Sequence, residues 1–467
     1  LPVMARRQRQ MCIRDRSYIF AVGDDDQSIY GFRGARPGNM KDLQRDFNIE
    51  NIIKLEQNYR SQNNILNAAN AIIENNSERL GKNLWSDAGN GQLIRQYNAH
   101  DDRFETSYII DEIKSLHRAG SSYDQIAILY RNNAQSRVIE MGIVSNNIPY
   151  RVYGGLRFFE RAEIKNSLAY LRLITNKNDD NAFLRIVNFP PRGIGAKSIE
   201  LIQSQANDNQ TSLWDAAINI ESKNKNIKVS MFVNLIRNIE DQIHGINIDE
   251  SINVINSYST LKEHYGKDKD GSSRIENLDE LVSAAQSFLN EFREEVVGDE
   301  TDNGQGKVLG DFLDFTSLES GELQASVGDD ALQLMTIHSS KGLEFDTVFI
   351  TGLEDGLCPH ERSLSENYGL EEERRLMYVA VTRARKKLYL TLAQSRMTYG
   401  QIMYNMPSRF LDEIPENLIK RINAPKKDNF HSSPKITSHS ESKHSWKIGA
   451  MVKPVSYTHL RAHETMV

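Results

Sequence analysis

Four residues in this sequence could together grip a polyphosphate: Gln27, Arg33, Arg60 and Arg383. A guanidinium fork binds two phosphate oxygens at once, and a phosphoryl group in transfer carries charge on several oxygens. A single arginine of this kind reads as a surface ion pair. Four such groups, three of them just after apolar runs, suit a triphosphate better. Tyr30 and Phe32 flank Gly31, with Gly34 close behind, so they sit on a loop where rings are free to stack. Asp24, Asp25 and Asp26 could hold a metal, but capping and solvating the loop is the favoured reading. His338 alone reads as a satisfied histidine. Lys341-Gly342 reverses the P-loop order, and no glycine stands five residues before Gly342, so a Walker A loop is rejected there. The turn Arg192-Gly193-Ile194-Gly195, followed by Lys197-Ser198, could bring backbone amides close to a phosphate. A plain helix-connecting turn explains it equally well.

Such groups need strands and helices to position them. Tyr18 to Val22 reads as a buried strand ending in Gly23 and three acids. Ile52, Ile53 and Leu55 read as a short strand ending before Tyr59 and Arg60. Ser61 then reads as the cap of a helix whose Ile65, Ala68, Ala69 and Ile72 share one face. A helix near Arg103 to Arg118 precedes the strand Ile126 to Tyr130. Leu332 to Ile337, Val348 to Gly352 and Lys387 to Leu392 are further strands, and Arg383 falls in a helix from Glu371 to Arg385. The alternation predicts an α/β fold with a parallel sheet, and the polar groups are expected at its carboxyl edge. Between about Gly154 and Ser320 helical spacing dominates, as in Ile164-Leu168-Leu171 and Leu278-Leu281-Ala284-Ala285. A large mainly helical insertion therefore interrupts the α/β unit. Within it, Glu294 to Lys307 is acidic and Gly-rich and reads as a mobile loop.

The chain has 467 residues, enough for roughly three domains of about 150 residues. Its 39% hydrophobic and 26% charged content suits a soluble globular protein, and no apolar run reaches the roughly 18 to 20 residues of a membrane helix. A net charge of -6 argues against polyanion binding by bulk electrostatics but not against a local basic groove. Two distant cysteines, Cys12 and Cys358, support neither a disulfide framework nor a zinc site, so a reducing cytoplasm is expected.

Five ordered motifs carry a family resemblance from about Ser17 to Lys453. V-G-D-D-D-Q-S-I-Y-G-F-R-G-A (Val22 to Ala35) resembles motif III of the UvrD/PcrA/Rep group of superfamily 1 helicases. L-E-Q-N-Y-R-S (Leu55 to Ser61) resembles their motif IV. Y-G-G-L-R-F-F-E-R-A-E-I-K (Tyr153 to Lys165) resembles the entry to their inserted domain 2B. L-M-T-I-H-S-S-K-G-L-E-F-D-T-V-F-I (Leu334 to Ile350) resembles motif V, and E-E-E-R-R-L-M-Y-V-A-V-T-R-A-R (Glu371 to Arg385) motif VI. N-F-P-P-R-G-I-G (Asn188 to Gly195) and S-W-K-I-G (Ser445 to Gly449) place it nearest the UvrD branch.

The resemblance implies a RecA-like α/β motor domain and an ATP-dependent helicase moving 3′ to 5′ on single-stranded DNA in DNA repair. By the same resemblance Gln27 senses the γ-phosphate and Tyr59 stacks on adenine. Arg60 and Arg383 act as arginine fingers, Glu344 binds ribose, and Gly342 belongs to the ATP site. Tyr30 and Phe32 stack on bases, and Arg33 links that contact to the nucleotide. Thr336 and His338 line the DNA path or couple it to ATP, and Arg192, Gly193 and Gly195 meet duplex DNA. Many relatives carry Trp at the position of Phe32; a phenyl ring still offers a stacking face, worth roughly 1–3 kcal/mol per base.

Expected partners are single-stranded DNA, single-strand/duplex junctions and repair proteins, with no membrane. The expected state is a monomer or weakly self-associating protein of the bacterial cytoplasm, on the nucleoid when bound to DNA. ATP and Mg²⁺ are the expected cofactors, but G-x-x-x-x-G-K-[ST] occurs nowhere in the sequence. The P-loop and the paired acids that hold Mg²⁺ are therefore expected in preceding sequence, and the chain alone is expected to be inactive. The expected division is 17–50 as the end of domain 1A, 51–153 and 331–423 as domain 2A, and 154–330 as the 2B-like insertion. After these come a linker over 424–444 and the start of a C-terminal module over 445–454. Residues 1–16 and 455–467 contain MCIRDR and VSYTHLRAHET, which resemble translated sequencing-adapter sequence, and are expected to be foreign. Two alternatives stay open: a non-catalytic DNA-binding relative, and the helicase half of a helicase–nuclease.

Overall fold

The run Ile126–Tyr130 is apolar without alternation and buried along its whole length, as a strand covered on both faces must be. It is β2 of a sheet whose strands are β1 (Ile94–Asp101), β2, β3 (Tyr150–Val152), β4 (Leu332–Thr336), β5 (Phe345–Ile350), β6 (Ala384–Thr398), β7 (Gln401–Tyr404) and β8 (Ile419–Arg421). Their order is β3-β4-β2-β5-β6-β1-β8, all parallel, and β7 folds back antiparallel on β6. The computed structural model describes residues 21–423 except 32–33, 37, 78, 223–226, 269–270, 296–304, 320–327, 367 and 399. The readings of the two chain ends, most of the Glu294 to Lys307 loop, Phe32 and Arg33 lie outside the described residues.

The helices Asn63–Glu74 and Gly369–Val381 cover one face of the sheet. Ile65, Ala69 and Ile72 share a core there with Val348, Ile350, Leu376 and Val379. The helices Asp102–Arg118 and Ser136–Ser145 cover the other face, where Ile109, Ile113 and Ile143 meet Ile128, Leu334 and Phe349. Asp101 caps the first of these, accepting hydrogen bonds from the amides of Arg103 and Phe104 at 3.0 and 2.9 Å. This three-layer arrangement is the α/β parallel-sheet fold expected. Between β3 and β4 the described residues are almost wholly helical, from Ala162–Thr175 to Gln305–Glu319, around a separate core that includes Leu168, Phe183, Phe232, Ile236, Ile252 and Leu278. No helix among the described residues is long and apolar enough to cross a membrane.

Several local expectations are corrected. Ile52, Ile53 and Leu55 form no strand: among the described residues the stretch has no ladder partner, an isolated bridge from Gln57 to Trp85 follows it, and Ile53 and Leu55 are exposed. Extended residues become a strand only when a neighbour takes their hydrogen bonds, and none lies beside them among the described residues. Ala21 and Val22 are likewise coil, with Val22 exposed. Ser61 does not cap the following helix; its hydroxyl donates to the Ala384 carbonyl at 2.6 Å, tying motif IV to the start of β6. The helix expected to run to Arg385 ends at Val381, so Arg383 stands in the turn before β6. β1, β3, β7 and β8 were not expected; β1 reads I-R-Q-Y-N-A-H-D, with polar residues where a buried strand normally shows Val or Ile.

Candidate nucleotide site

Arg383 is delivered by the tight turn that joins the Gly369–Val381 helix to β6. Its side chain is 1% exposed. Its guanidinium donates to the carbonyls of Val379 and Leu343, both at 3.0 Å, and to the Thr382 hydroxyl at 3.2 Å. Burial, and then the positive charge of Arg60, push its pKa down to about 10 from 12.5. Two like charges are thus held close together. A nearby anion relieves the repulsion of such a pair.

Among the described residues, the carboxylate paired with Arg60 is Glu344. Arg60 Nε donates to its carboxylate, and Arg60 Nη1 lies 3.5 Å from the Thr382 carbonyl. Glu344 immediately precedes β5, as Arg383 precedes β6, and the Phe345 amide donates to the Arg383 carbonyl at 2.9 Å. The cluster therefore sits at the amino ends of β5 and β6. This corrects the expectation of the carboxyl edge: Glu344 ends the short crossover from β4 to β5, and the stretch before Tyr59 and Arg60 is not a strand. Tyr59 projects beside Arg60, 85% exposed as a residue, with its hydroxyl donating to Gln57 Oε1 at 2.9 Å. Gly342 has φ of +94°, a backbone turn that favours glycine.

The motif III loop reaches the same region from the other side. Asp24 accepts from the Asp26 amide at 3.1 Å and from Gln27 Nε2 at 2.6 Å, and its charge is felt at Arg383. Arg375 donates to the Ser28 carbonyl at 2.9 Å, and the Gly31 amide donates to Glu372 at 2.9 Å. A Cβ on Gly31 would overlap the Glu372 carboxylate, which would have to swing aside and give up this hydrogen bond. Lys341 donates to the Gln27 carbonyl at 2.7 Å and lies 5.2 Å from the Tyr30 ring centroid. The Tyr30 hydroxyl reaches the His338 carbonyl at 3.4 Å, and Thr336 shares a 3.0 Å hydrogen bond with Ser339. Tyr30 is half-buried against motif V rather than fully free, while Gln27, Tyr30, Thr336 and His338 are brought together.

The three acids do not suit Mg²⁺. Their oxygens lie within 4.8 Å of one another, but Arg79 holds Asp26 at 2.9 and 2.8 Å, Lys82 pairs with Asp24, and the Leu80 amide donates to Asp25 at 2.7 Å. A dication would have to displace two cations. Arg79 and Lys82 were not foreseen, and nothing in their local sequence marks them. Arg192 stands apart in the helical insertion. Its guanidinium donates to the carbonyls of Ile186, Pro190 and Ser259, each at 3.1 Å, and to Tyr170 Oη at 2.5 Å. Asn188 Oδ1 accepts from the Arg192 and Ile194 amides at 2.9 and 3.0 Å. Arg192 thus shapes its turn from within, and Gly193 and Gly195 are exposed, with the Lys228 side chain against Gly193.

Comparison with known proteins gives this geometry a family. Residues 53–395 match the family described as UvrD-like helicase C-terminal domain. The chain belongs to the UvrD-like helicases. Residues 6–48 also match the UvrD/REP helicase N-terminal domain, a match that takes in part of the stretch 1–16. DNA helicase II of Escherichia coli (strain K12) is 44% identical over 87% of this chain and 56% of its own length. DNA helicase II of Haemophilus influenzae is 41% identical over 93% of this chain and 60% of its own. The ATP-dependent DNA helicase PcrA of Staphylococcus aureus is 40% identical over 90% of this chain and 56% of its own. This UvrD-like helicase chain thus spans a little over half the length of these relatives.

Proposed function

We propose that this chain supplies the second motor domain of an ATP-dependent helicase that moves 3′ to 5′ on single-stranded DNA and serves DNA repair. The observation that carries this is the nearness of Arg60 and Arg383, with Glu344 holding Arg60, beside the exposed Tyr59. Two cations held together against their repulsion suit a γ-phosphate, and an exposed aromatic ring beside them suits a base. In this reading Gln27 orients the terminal phosphate from the motif III loop, and Arg33 joins it. Mg²⁺ is held elsewhere, because the Asp24 to Asp26 acids are already neutralised. Tyr30, Phe32, Thr336 and His338 contact the single strand, and the turn Arg192 to Gly195 meets duplex through its glycines. The division at 51–153, 154–330 and 331–423 follows the switch from sheet to helix and back. Junction DNA and repair proteins are the partners of such an enzyme, in the bacterial cytoplasm.

The test is a chimera in which this chain replaces the matching segment of E. coli DNA helicase II. It is expected to hydrolyse ATP with single-stranded DNA and to unwind a 3′-tailed duplex. Arg60→Ala or Arg383→Ala should each lower kcat by about 10³-fold or more, the scale of a lost arginine finger. An active chimera whose double arginine variant keeps kcat within about tenfold would overturn the reading. The chain by itself should have negligible ATPase activity.

A further inference from the structure

We propose that Glu344 is an intramolecular competitor for Arg60, so that a ligand with several phosphates claims that arginine more readily than one with a single phosphate. The inference rests on reading the Arg60–Arg383 cluster as a polyphosphate site. Arg60 is held by Glu344, and both side chains are partly exposed, at 30% and 41%. The pair is therefore breakable, as an exposed ion pair is worth little. Arg383 differs: three hydrogen bonds to the protein's own oxygens anchor it in the turn. Of the two cations, Arg60 is the one free to exchange partners.

Glu344 also has a second cation to stay with. Arg385 Nη1 lies 3.6 Å from Glu344 Oε1, and Arg385 is itself fixed by Asp346 at 2.8 Å and by Gln125. Losing Arg60 thus leaves the Glu344 carboxylate beside a guanidinium rather than stranded. The exchange is asymmetric by construction: Arg60 moves from a carboxylate to a phosphate, and Glu344 remains at the start of β5. A ligand carrying one phosphate replaces one anion by another and gains little. A polyphosphate brings several anionic groups to Arg60 under the field of the buried Arg383 and adds forked hydrogen bonds to Arg60, so it displaces the carboxylate.

The experiment measures tripolyphosphate and orthophosphate binding to the purified full chain by calorimetry at low salt. Wild type, Glu344→Gln, Arg60→Ala and the double variant are compared, with thermal melting as the check that each is folded. Glu344→Gln should tighten tripolyphosphate binding about two- to fivefold, the range set by an exposed ion pair. Arg60→Ala should weaken it, and in that background Glu344→Gln should have no effect. Orthophosphate should bind weakly to all. Equal tightening with and without Arg60 would reduce Glu344 to a general charge effect and overturn the proposal. So would unchanged or weaker binding by Glu344→Gln. If Arg60→Ala weakens binding while Glu344→Gln is neutral, the competitor fails and the phosphate site stands. Absence of tripolyphosphate binding in every folded variant overturns both.

Discussion

Replacing Arg383 by Met should abolish hydrolysis while leaving stability nearly unchanged. The fall of its pKa from 12.5 to about 10 corresponds to roughly 3 kcal/mol against the buried charge. Met removes that cost and fills much of the same volume with a flexible apolar chain. Against this stand the three acceptors it would leave. The single Thr382 hydroxyl proton can serve Val379 O at 3.0 Å, because Tyr378 O, its other neighbour at 2.9 Å, also accepts from the Thr382 amide at 3.1 Å. Leu343 O alone loses its side-chain donor, at a cost of about 1–3 kcal/mol for a buried group. The two effects nearly cancel, and urea denaturation should place the variant within about 1 kcal/mol of wild type. In the chimera with E. coli DNA helicase II, kcat should meanwhile fall by about 10³-fold or more. A loss of more than about 3 kcal/mol would refute the reasoning, because it would make Arg383 a structural clamp whose bonds outweigh its desolvation.

Arg396 makes the opposite case. It holds Glu354 at 2.6 and 2.7 Å and pairs with Glu105, and both acids are buried. Arg396→Met should therefore cost about 3–5 kcal/mol in urea denaturation, and adding Glu105→Gln should recover part of it; a loss under about 1 kcal/mol would contradict this. Gly31→Ala should lower stability by about 0.5–1.5 kcal/mol, because Glu372 must swing aside and lose its hydrogen bond from the Gly31 amide. Shortening that neighbour by Glu372→Ala should relieve most of the loss in thermal melting, and no relief would show that the clash lies elsewhere. Burial alone would raise the Glu373 pKa, but the Arg131 hydrogen bonds and charge hold it below 4.5. A carboxylate depressed in the fold stabilises it above the unfolded value and stops doing so as pH falls through the folded one. The stability gap between wild type and Arg131→Met should thus narrow as pH drops from about 6 to about 3; a constant gap in pH-dependent urea melts would count against it.

How much was legible beforehand depended on the range of the interaction involved. Apolar runs such as Ile126–Tyr130 and helical spacing such as Ile65-Ala68-Ala69-Ile72 are local, and the strands, helices and helical insertion they predict are present. The motifs from Val22 to Arg385 named the family because residue types and order survive without any knowledge of contacts. β1 escaped notice because its burial comes from β6 and β8 on either side, not from its own polar sequence. The Ile52 to Leu55 stretch misled for the converse reason: it has strand composition but no neighbour among the described residues.

By itself, then, the sequence determined the class of fold and the family, and it supplied the groups proposed to bind phosphate and bases. Only the tertiary structure decided that Arg60 and Glu344, 284 residues apart, face each other, and that they do so at the amino ends of β5 and β6. It also decided that Arg79 and Lys82 neutralise the acids and that Arg192 is turned inward on its own carbonyls. An ion pair depends on which side chains the fold brings within a few ångströms, and the charge of a residue carries no record of its partner.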